Sequence, residues 1–356
     1  MAQRDGWRKH PVDFLGRRRD LMRLVTSKFA RDAARRAFAS KIGCQMLTLV
    51  PWARLITFPA VVVADTTNDC NLRCRMCWRK DIPESELRYM GEEMFFKIVD
   101  EIAQHPGTAF VPCGLGEPLM HPQLVEWIPI AKKKGVSHIV ILTNGLLVDQ
   151  KVADTFIDCG LDELRFSLEG NDAKTYESIR VGGSFEQVVE NVTYVVKARN
   201  ARNRKKPRVV IATIDMPKTR PQLPDFYKRW DAILSDHDSV LTRPLMIHPS
   251  QRSSQHEKKE IKWRWLTPCR IPWRGADVSL DGKLGLACCA DPDKTLYRFL
   301  GEPHLDRMSI KEFWTSPQLA RLRRLQLSKG RMSLPTCAKC VEWTKLVDPK
   351  ITSSGL

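Results

Sequence analysis

At 356 residues and 43% hydrophobic content the chain can bury the core of one large domain with a smaller appendage, as an ordinary globular protein does. Its 58 Lys and Arg outnumber its 41 Asp and Glu by 17, which leaves an acidic partner, a phosphate-bearing substrate or an anionic membrane surface open and selects none of them. Eleven unevenly spaced cysteines exceed what packing requires and argue against the disulfide framework of a small secreted domain, so ligand clusters in a reducing cytoplasm are the expectation.

Residues 1–55 hold thirteen Lys or Arg and four Asp, more than half of the net charge. The first ten residues, MAQRDGWRKH, lack an apolar secretory core. Within this segment Leu21, Val25, Phe29 and Ala33 recur at helical spacing with Arg19, Arg23, Lys28 and Arg31 between them, which predicts a basic amphipathic helix. Packing on the main domain with a solvated charged face accounts for it; contact with a membrane surface or an acidic partner is the alternative. The most apolar stretch, residues 46–64, is broken by Pro51, Arg54 and Pro59, short of the roughly 20 apolar residues of a membrane span. The expected location is therefore cytoplasmic, with membrane-surface association left open.

From Phe58 onward β-branched runs alternate with helical patterns. FPAVVVADT, GTAFVP, SHIVILTN, DELRFSLE, RVVIATID and VLTRPLMI read as strands, and residues 92–105, 122–134, 149–159, 184–199 and 222–234 as helices, with Gly135 and Gly160 as C-terminal stops. Six β-α repeats predict an α/β fold, a parallel sheet curled into a partial (β/α)6 barrel with its chemistry at the C-terminal strand ends. The core is assigned to residues 56–235, and the polar stretch around HPSQRSSQHEKKE makes residues 236–262 a linker.

Directly after the first strand comes Cys70-Asn-Leu-Arg-Cys74-Arg-Met-Cys77. Three close thiolates suit a [4Fe–4S] cubane that keeps one iron open to a chelating ligand. A zinc site or buried structural thiols are the alternatives, but zinc sites normally pair their cysteines two by two. The motif resembles that of the radical S-adenosylmethionine (SAM) superfamily, in which the amino and carboxylate groups of SAM occupy the open iron and reductive cleavage yields a 5′-deoxyadenosyl radical. The resemblance extends over residues 56–235. Cys113-Gly114-Leu115-Gly116-Glu117-Pro118 is similar to the family's Gly-Gly-Glu-Pro turn at the SAM amino group, with its glycines split by Leu115. Thr143-Asn144-Gly145 looks like the family's third-strand turn, and Ser167-Leu168-Glu169-Gly170 like its fourth-strand segment near the SAM ribose. Arg180, ahead of Gly182, Gly183 and Phe185, matches a downstream arginine that the resemblance places at the SAM carboxylate. These matches make Gly114, Gly116, Glu117, Pro118, Thr143, Asn144, Ser167, Glu169 and Arg180 the expected SAM-binding residues.

Downstream lie Cys269, the pair Cys288-Cys289, and Cys337-Ala-Lys-Cys340, with a hairpin turn expected at Asp281-Gly282. The layout resembles the twitch domain, the shortened relative of the SPASM domain, which implies one auxiliary [4Fe–4S] cluster on Cys269, Cys288, Cys337 and Cys340; spacing does not choose between Cys288 and Cys289. A structural zinc site is the alternative. This unit is assigned residues 263–345, followed by a tail, 346–356, and Trp263, Trp265 and Trp273 are read as packing around Cys269.

Cys113 sits beside the Gly-Glu-Pro turn, where a thiol can give a hydrogen atom to a substrate radical; as a buried cysteine it can equally be a small hydrophobe. The resemblance implies a radical SAM oxidoreductase or epimerase acting on a sugar- or aminocyclitol-like molecule, with an electron donor such as flavodoxin or ferredoxin. Modification of a ribosomally made peptide is the enzymatic alternative. A non-catalytic iron–sulfur protein bound to a membrane or partner through residues 1–55 is the alternative of another class. The chain ends Ser-Ser-Gly-Leu and lacks the Gly-Gly tail and cysteine spacing of molybdenum-cofactor cyclases, which disfavours that chemistry. No RNA- or DNA-binding module accompanies the charge, so no nucleic acid is expected.

Overall fold

The computed structural model describes residues 57–245, 269, 271–287, 294–329 and 334–339. The expected N-terminal helix of residues 1–55, Cys288, Cys289, Cys340 and the tail lie outside these residues.

Six parallel strands follow one another across the sheet: β1 (Val61–Ala64), β2 (Ala109–Val111), β3 (His138–Thr143), β4 (Glu163–Ser167), β5 (Arg208–Asp215) and β6 (Ser239–Pro244). The intervening helices are α1 (Glu92–Ala103), α2 (Leu124–Lys133), α3 (Gln150–Asp158), α4 (Ala173–Ile179), α5 (Phe185–Ala201) and α6 (Leu223–Ile233). Alternation along each strand separates two faces. Val62, Ala64, Phe110, Ile139, Ile141, Leu164, Phe166, Val209 and Ile211 enter the main core under the helices. Val61, Ala109, Val111 and Val140, flanked by Val63, Cys113 and Leu142, form a smaller cluster on the opposite, inner face.

The helices meet the sheet as their patterns require. α1 buries Phe95, Ile98, Val99 and Ile102, one stripe at helical spacing. Asp149, Asp172 and Ser184 cap α3, α4 and α5 by accepting the backbone N–H of Val152, Thr175 and Gln187. Gly135 and Gly160 follow α2 and α3 with φ of 101° and 70°, the left-handed turn that a side chain disfavours. The sixth strand, expected at VLTRPLMI, falls at residues 239–244, inside the bounds given to the linker, with a backbone ladder to β5 from Val210↔Ser239 to Asp215↔Pro244.

The C-terminal unit extends the same sheet. β7 (Gly275–Val278) pairs parallel with β1, from Val61↔Gly275 to Ala64↔Val278, and β8 (Leu284–Leu286) returns antiparallel to β7 through a turn in which Gly282 has φ of 79°. Helices α7 (Thr295–Phe299), α8 (Ile310–Trp314), α9 (Pro317–Lys329) and α10 (Pro335–Lys339) follow. The Glu101 carboxylate on α1 accepts the N–H groups of Ile310 (2.9 Å) and Lys311 (2.7 Å) at the start of α8, and Lys97 donates to the Leu305 carbonyl at 2.6 Å. Phe313, Trp314, Leu319 and Leu322 therefore share one core with the barrel helices.

Candidate active site

The cysteine loop leaves β1 and is braced on three sides. Asp69 Oδ1 accepts the Cys70 N–H at 2.7 Å and Arg79 Nη2 at 3.1 Å, while its Oδ2 accepts the Tyr89 hydroxyl at 2.6 Å. Arg79 also donates to the Asn68 carbonyl at 2.8 Å, so a buried guanidinium fixes the approach to Cys70. On the far side the N–H groups of Arg73 and Arg75 bond the carbonyls of Val181 and Ile179, both at 2.9 Å, which stitches the loop to the end of α4.

Each of the three thiols lies within electrostatic reach of the other two. Among the described residues no three Cys, His, Asp or Glu side chains converge at the spacing of a single metal ion. A cubane asks for something different, one thiolate per iron around a cluster, and three thiols fanned from one braced loop suit it. Burial raises the Cys70 thiol above its ordinary value, and that of Cys74 to about 11 despite Arg180. Metal binding is the step that takes the proton from such a thiol.

Glu117 joins the second and third strand ends. It is 3% exposed, and its carboxylate accepts Thr143 Oγ1 at 2.7 Å, the Asn144 N–H at 2.6 Å and the Leu119 N–H at 3.3 Å. Burial pushes its carboxyl up to about 7, with the bonds from Asn144, Thr143 and Leu119 acting in the opposite direction. Asn144 then reaches the cysteine loop, donating to Asn71 Oδ1 at 2.7 Å. The Gly-Glu-Pro turn lies against that loop: the Gly116 and Glu117 N–H groups bond the carbonyls of Thr67 (3.1 Å) and Asp69 (2.8 Å). A Cβ on Gly116 would stand 2.2 Å from the Asp69 carbonyl oxygen and 2.6 Å from that of Thr67. Both obstacles are backbone, so Gly116→Ala must displace the turn. Its expected result is at least a tenfold weaker SAM affinity by equilibrium dialysis, about 1.4 kcal/mol; unchanged affinity would remove this turn from the binding site.

At the fourth strand end Glu169, 1% exposed, forms an ion pair with Arg180. Burial opposes the charge on Arg180, but Glu169 outweighs it, and the guanidinium pKa is raised. Arg180 Nη1 lies 3.8 Å from Cys74 Sγ. Ser167 closes β4 half-buried, and Pro118 is buried in the short turn after Glu117. The structure thus brings the three loop cysteines and the residues expected at SAM onto one rim, the C-terminal ends of β1 to β4.

The inner face adds residues that the sequence did not single out. Asp65 extends the Val61, Val63 row, and Asp277 on β7 is paired in register with Val63. Among the described residues neither carboxylate has a side-chain hydrogen-bond partner, and burial raises both pKa values, that of Asp277 further through the charge of Asp65. Asp65 abuts the Gly-Glu-Pro turn, where a Cβ on Gly114 would stand 1.8 Å from its Oδ1. Arg165, paired with Glu163 on β4, brings a positive charge to the same face, where it favours the Cys113 thiolate. Cys113 sits half-buried beside them with its thiol pushed up to about 12, by burial first and then by Asp65 and Glu117. It is a neutral S–H at physiological pH. No single-chain pattern signals Asp277, because only the β1–β7 pairing carries it to this face.

Of the expected auxiliary ligands, Cys269 and Cys337 are described. The Cys269 N–H donates to Gln326 Oε1 at 3.1 Å, and Cys337 on α10 packs against the main core. Among the described residues no helix is long and apolar enough to cross a membrane.

Residues 65–229 match the family model described as the Radical SAM superfamily. The GTP 3′,8-cyclase of Chlorobaculum tepidum is 31% identical over 145 residues, 40% of this chain and 42% of the relative. The tungsten-containing aldehyde ferredoxin oxidoreductase cofactor-modifying protein of Pyrococcus furiosus is 28% identical over 166 residues, 45% of each chain. The chain therefore spans less than half the length of either relative. Among solved structures, Streptococcus suis SuiB bound to S-adenosylmethionine is 14% identical, with a TM-score of 0.56 over 84% of this chain and 76% of that one, a likeness of fold.

Proposed function

From residues 65–229, a radical SAM domain whose cofactors are a [4Fe–4S] cluster and SAM, we propose that the chain is an enzyme that cleaves SAM reductively and takes a hydrogen atom from a sugar- or aminocyclitol-like small molecule, dehydrogenating or epimerising it. The observation that carries this reading is the polar inner face. On the inner face Glu163 is in register with Val140 and Asp277 with Val63, and Arg165, Asp65 and Cys113 follow two residues further toward the C-terminal strand ends, where a purely structural barrel keeps β-branched packing. Carboxylates, a guanidinium and a thiol around one space suit a substrate dense in O–H and N–H groups. The cyclase relative is matched over 40% of this chain, so that likeness reaches the SAM-binding part and leaves the substrate open.

Reduced cluster and bound SAM supply the 5′-deoxyadenosyl radical, and the chain's own groups decide the fate of the substrate radical it creates. In the proposed site Cys70, Cys74 and Cys77 hold the cluster, and the turns joined by Glu117 and Arg180 position SAM. For epimerisation, Cys113 gives its hydrogen atom to the substrate carbon radical. A C–H bond forms, the S–H bond breaks, and one electron from a flavodoxin- or ferredoxin-type donor and one proton from water restore the thiol. For dehydrogenation, the Asp65–Asp277 carboxylates take the carbinol O–H proton; Cys269, Cys288, Cys337 and Cys340 would hold an auxiliary cluster, which would supply the acceptor for the electron.

The test is deuterium transfer into 5′-deoxyadenosine from carbon-deuterated amino sugars, cyclitols and peptides with anaerobically reconstituted protein. Transfer from a peptide alone overturns the small-molecule reading, and failure to form 5′-deoxyadenosine overturns the enzymatic one. Cys113→Ala is expected to keep SAM cleavage and lose any epimer product, scored by solvent deuterium at the inverted carbon. Full epimer turnover without the thiol removes its role.

A further inference from the structure

Two buried donors on α9 have no acceptor among the described residues. Arg323, 8% exposed, spends its Nε on the Pro272 carbonyl at 2.8 Å and its Nη1 on the Trp314 carbonyl at 3.0 Å, with its Cζ 4.6 Å from the Trp314 ring centroid. Among the described residues its Nη2 is buried without a hydrogen-bond partner and no carboxylate pairs with it. Burial alone pulls the guanidinium down to about 10. Gln326, fully buried and three residues on, accepts the Cys269 N–H through Oε1, and its Nε2 has no acceptor among the described residues.

A buried charge without a counter-charge and a buried amide N–H without an acceptor each cost stability. Both lie beside the segment 269–273, which α9 grips at Cys269 and at Pro272. An occupant that repays both must be anionic and rich in acceptors. A cubane with four thiolate ligands carries net negative charge and presents sulfur acceptors in several directions, and donors around such a cluster set its reduction potential. We infer that Arg323 and Gln326 are positioning residues for an anionic iron–sulfur centre ligated through Cys269, Arg323 as its buried counter-charge and Gln326 as a hydrogen-bond donor that also fixes the ligand's backbone. This rests on the auxiliary-cluster reading above.

The experiment uses the full chain with Cys70, Cys74 and Cys77 replaced by alanine, reconstituted anaerobically so that iron reports the C-terminal centre alone. In that background Arg323→Met is expected to lower the midpoint potential by about 59 mV or more, a tenfold change in the one-electron equilibrium. Arg323→Lys should recover part of it, and Gln326→Leu should shift it the same way by less. An unchanged potential overturns the inference and leaves the auxiliary cluster standing. Zinc in place of iron, or no metal, overturns both.

Discussion

Alanine at Cys70, Cys74 or Cys77 is expected to bring 5′-deoxyadenosine production to background and, with the proposed auxiliary cluster in place, to remove about half of the iron from the reconstituted chain. Three ligands leave no reserve: two thiolates cannot hold a cubane that must also keep one iron open. The surrounding structure predicts that the loss is local. The loop is held by Asp69, Arg79 and Tyr89 and by its backbone bonds to Ile179 and Val181, none of which passes through a thiol. The cluster-free variants should therefore keep the circular dichroism of their parent. On the proposed assignment of Cys337 to an auxiliary cluster, Cys337→Ala is expected to remove the other half of the iron while SAM cleavage in the absence of substrate persists. Should cleavage survive in Cys74→Ala, the triad is not the site of SAM chemistry.

The barrel was legible because its local signals agree. Strand alternation separates the residues under the helices from those inside, and the caps at Asp149 and Ser184 fall where the sequence pattern changes period. Helix α4 was not legible: seven residues are too few to show helical periodicity, and Asp172 capping Thr175 is a signal shared with any Asx turn. The motifs placed the loop cysteines, Glu117, Thr143, Asn144, Glu169 and Arg180 on successive strand ends, and the structure shows how the groups join, through the Glu117 carboxylate and through the Arg180 contact to Cys74. Long-range pairing lay beyond sequence pattern. The Asp281-Gly282 turn announces a hairpin, but nothing in its residues says that β7 will lie parallel to β1 and deliver Asp277 beside Asp65. Arg79, Tyr89, Arg323 and Gln326 were invisible for the same reason: a single charged or polar residue acquires meaning only from what stands opposite it.

The largest stability effect is expected at the other rim. Arg199 on α5 and Asp238 just before β6 form an ion pair with both side chains 0% exposed, doubly bonded at 2.7 and 2.8 Å. The same guanidinium donates to the Pro207 carbonyl at 2.8 Å, and Asp238 accepts the N–H groups of Val209 (2.8 Å) and Ser235 (3.0 Å). One charge pair thus ties the end of α5 to the starts of β5 and β6, the strands that complete the curl of the barrel. Arg199→Met leaves the carboxylate buried with its counter-charge gone, a change that costs about 3–5 kcal/mol. On a domain of this size that is a fall in Tm of roughly 10 °C, read by thermal denaturation. The double variant Arg199→Met, Asp238→Leu should recover much of the loss, because it removes the stranded charge along with the pair. These residues sit at the N-terminal ends of the strands, while the cysteine loop, Glu117 and Arg180 sit at the C-terminal ends. At a temperature where the single variant remains folded, its SAM cleavage should equal that of the parent. A variant that melts normally, or one that stays folded yet loses SAM cleavage, would show that the two rims are not the separate stability and chemistry ends that the pairing of charges on them implies.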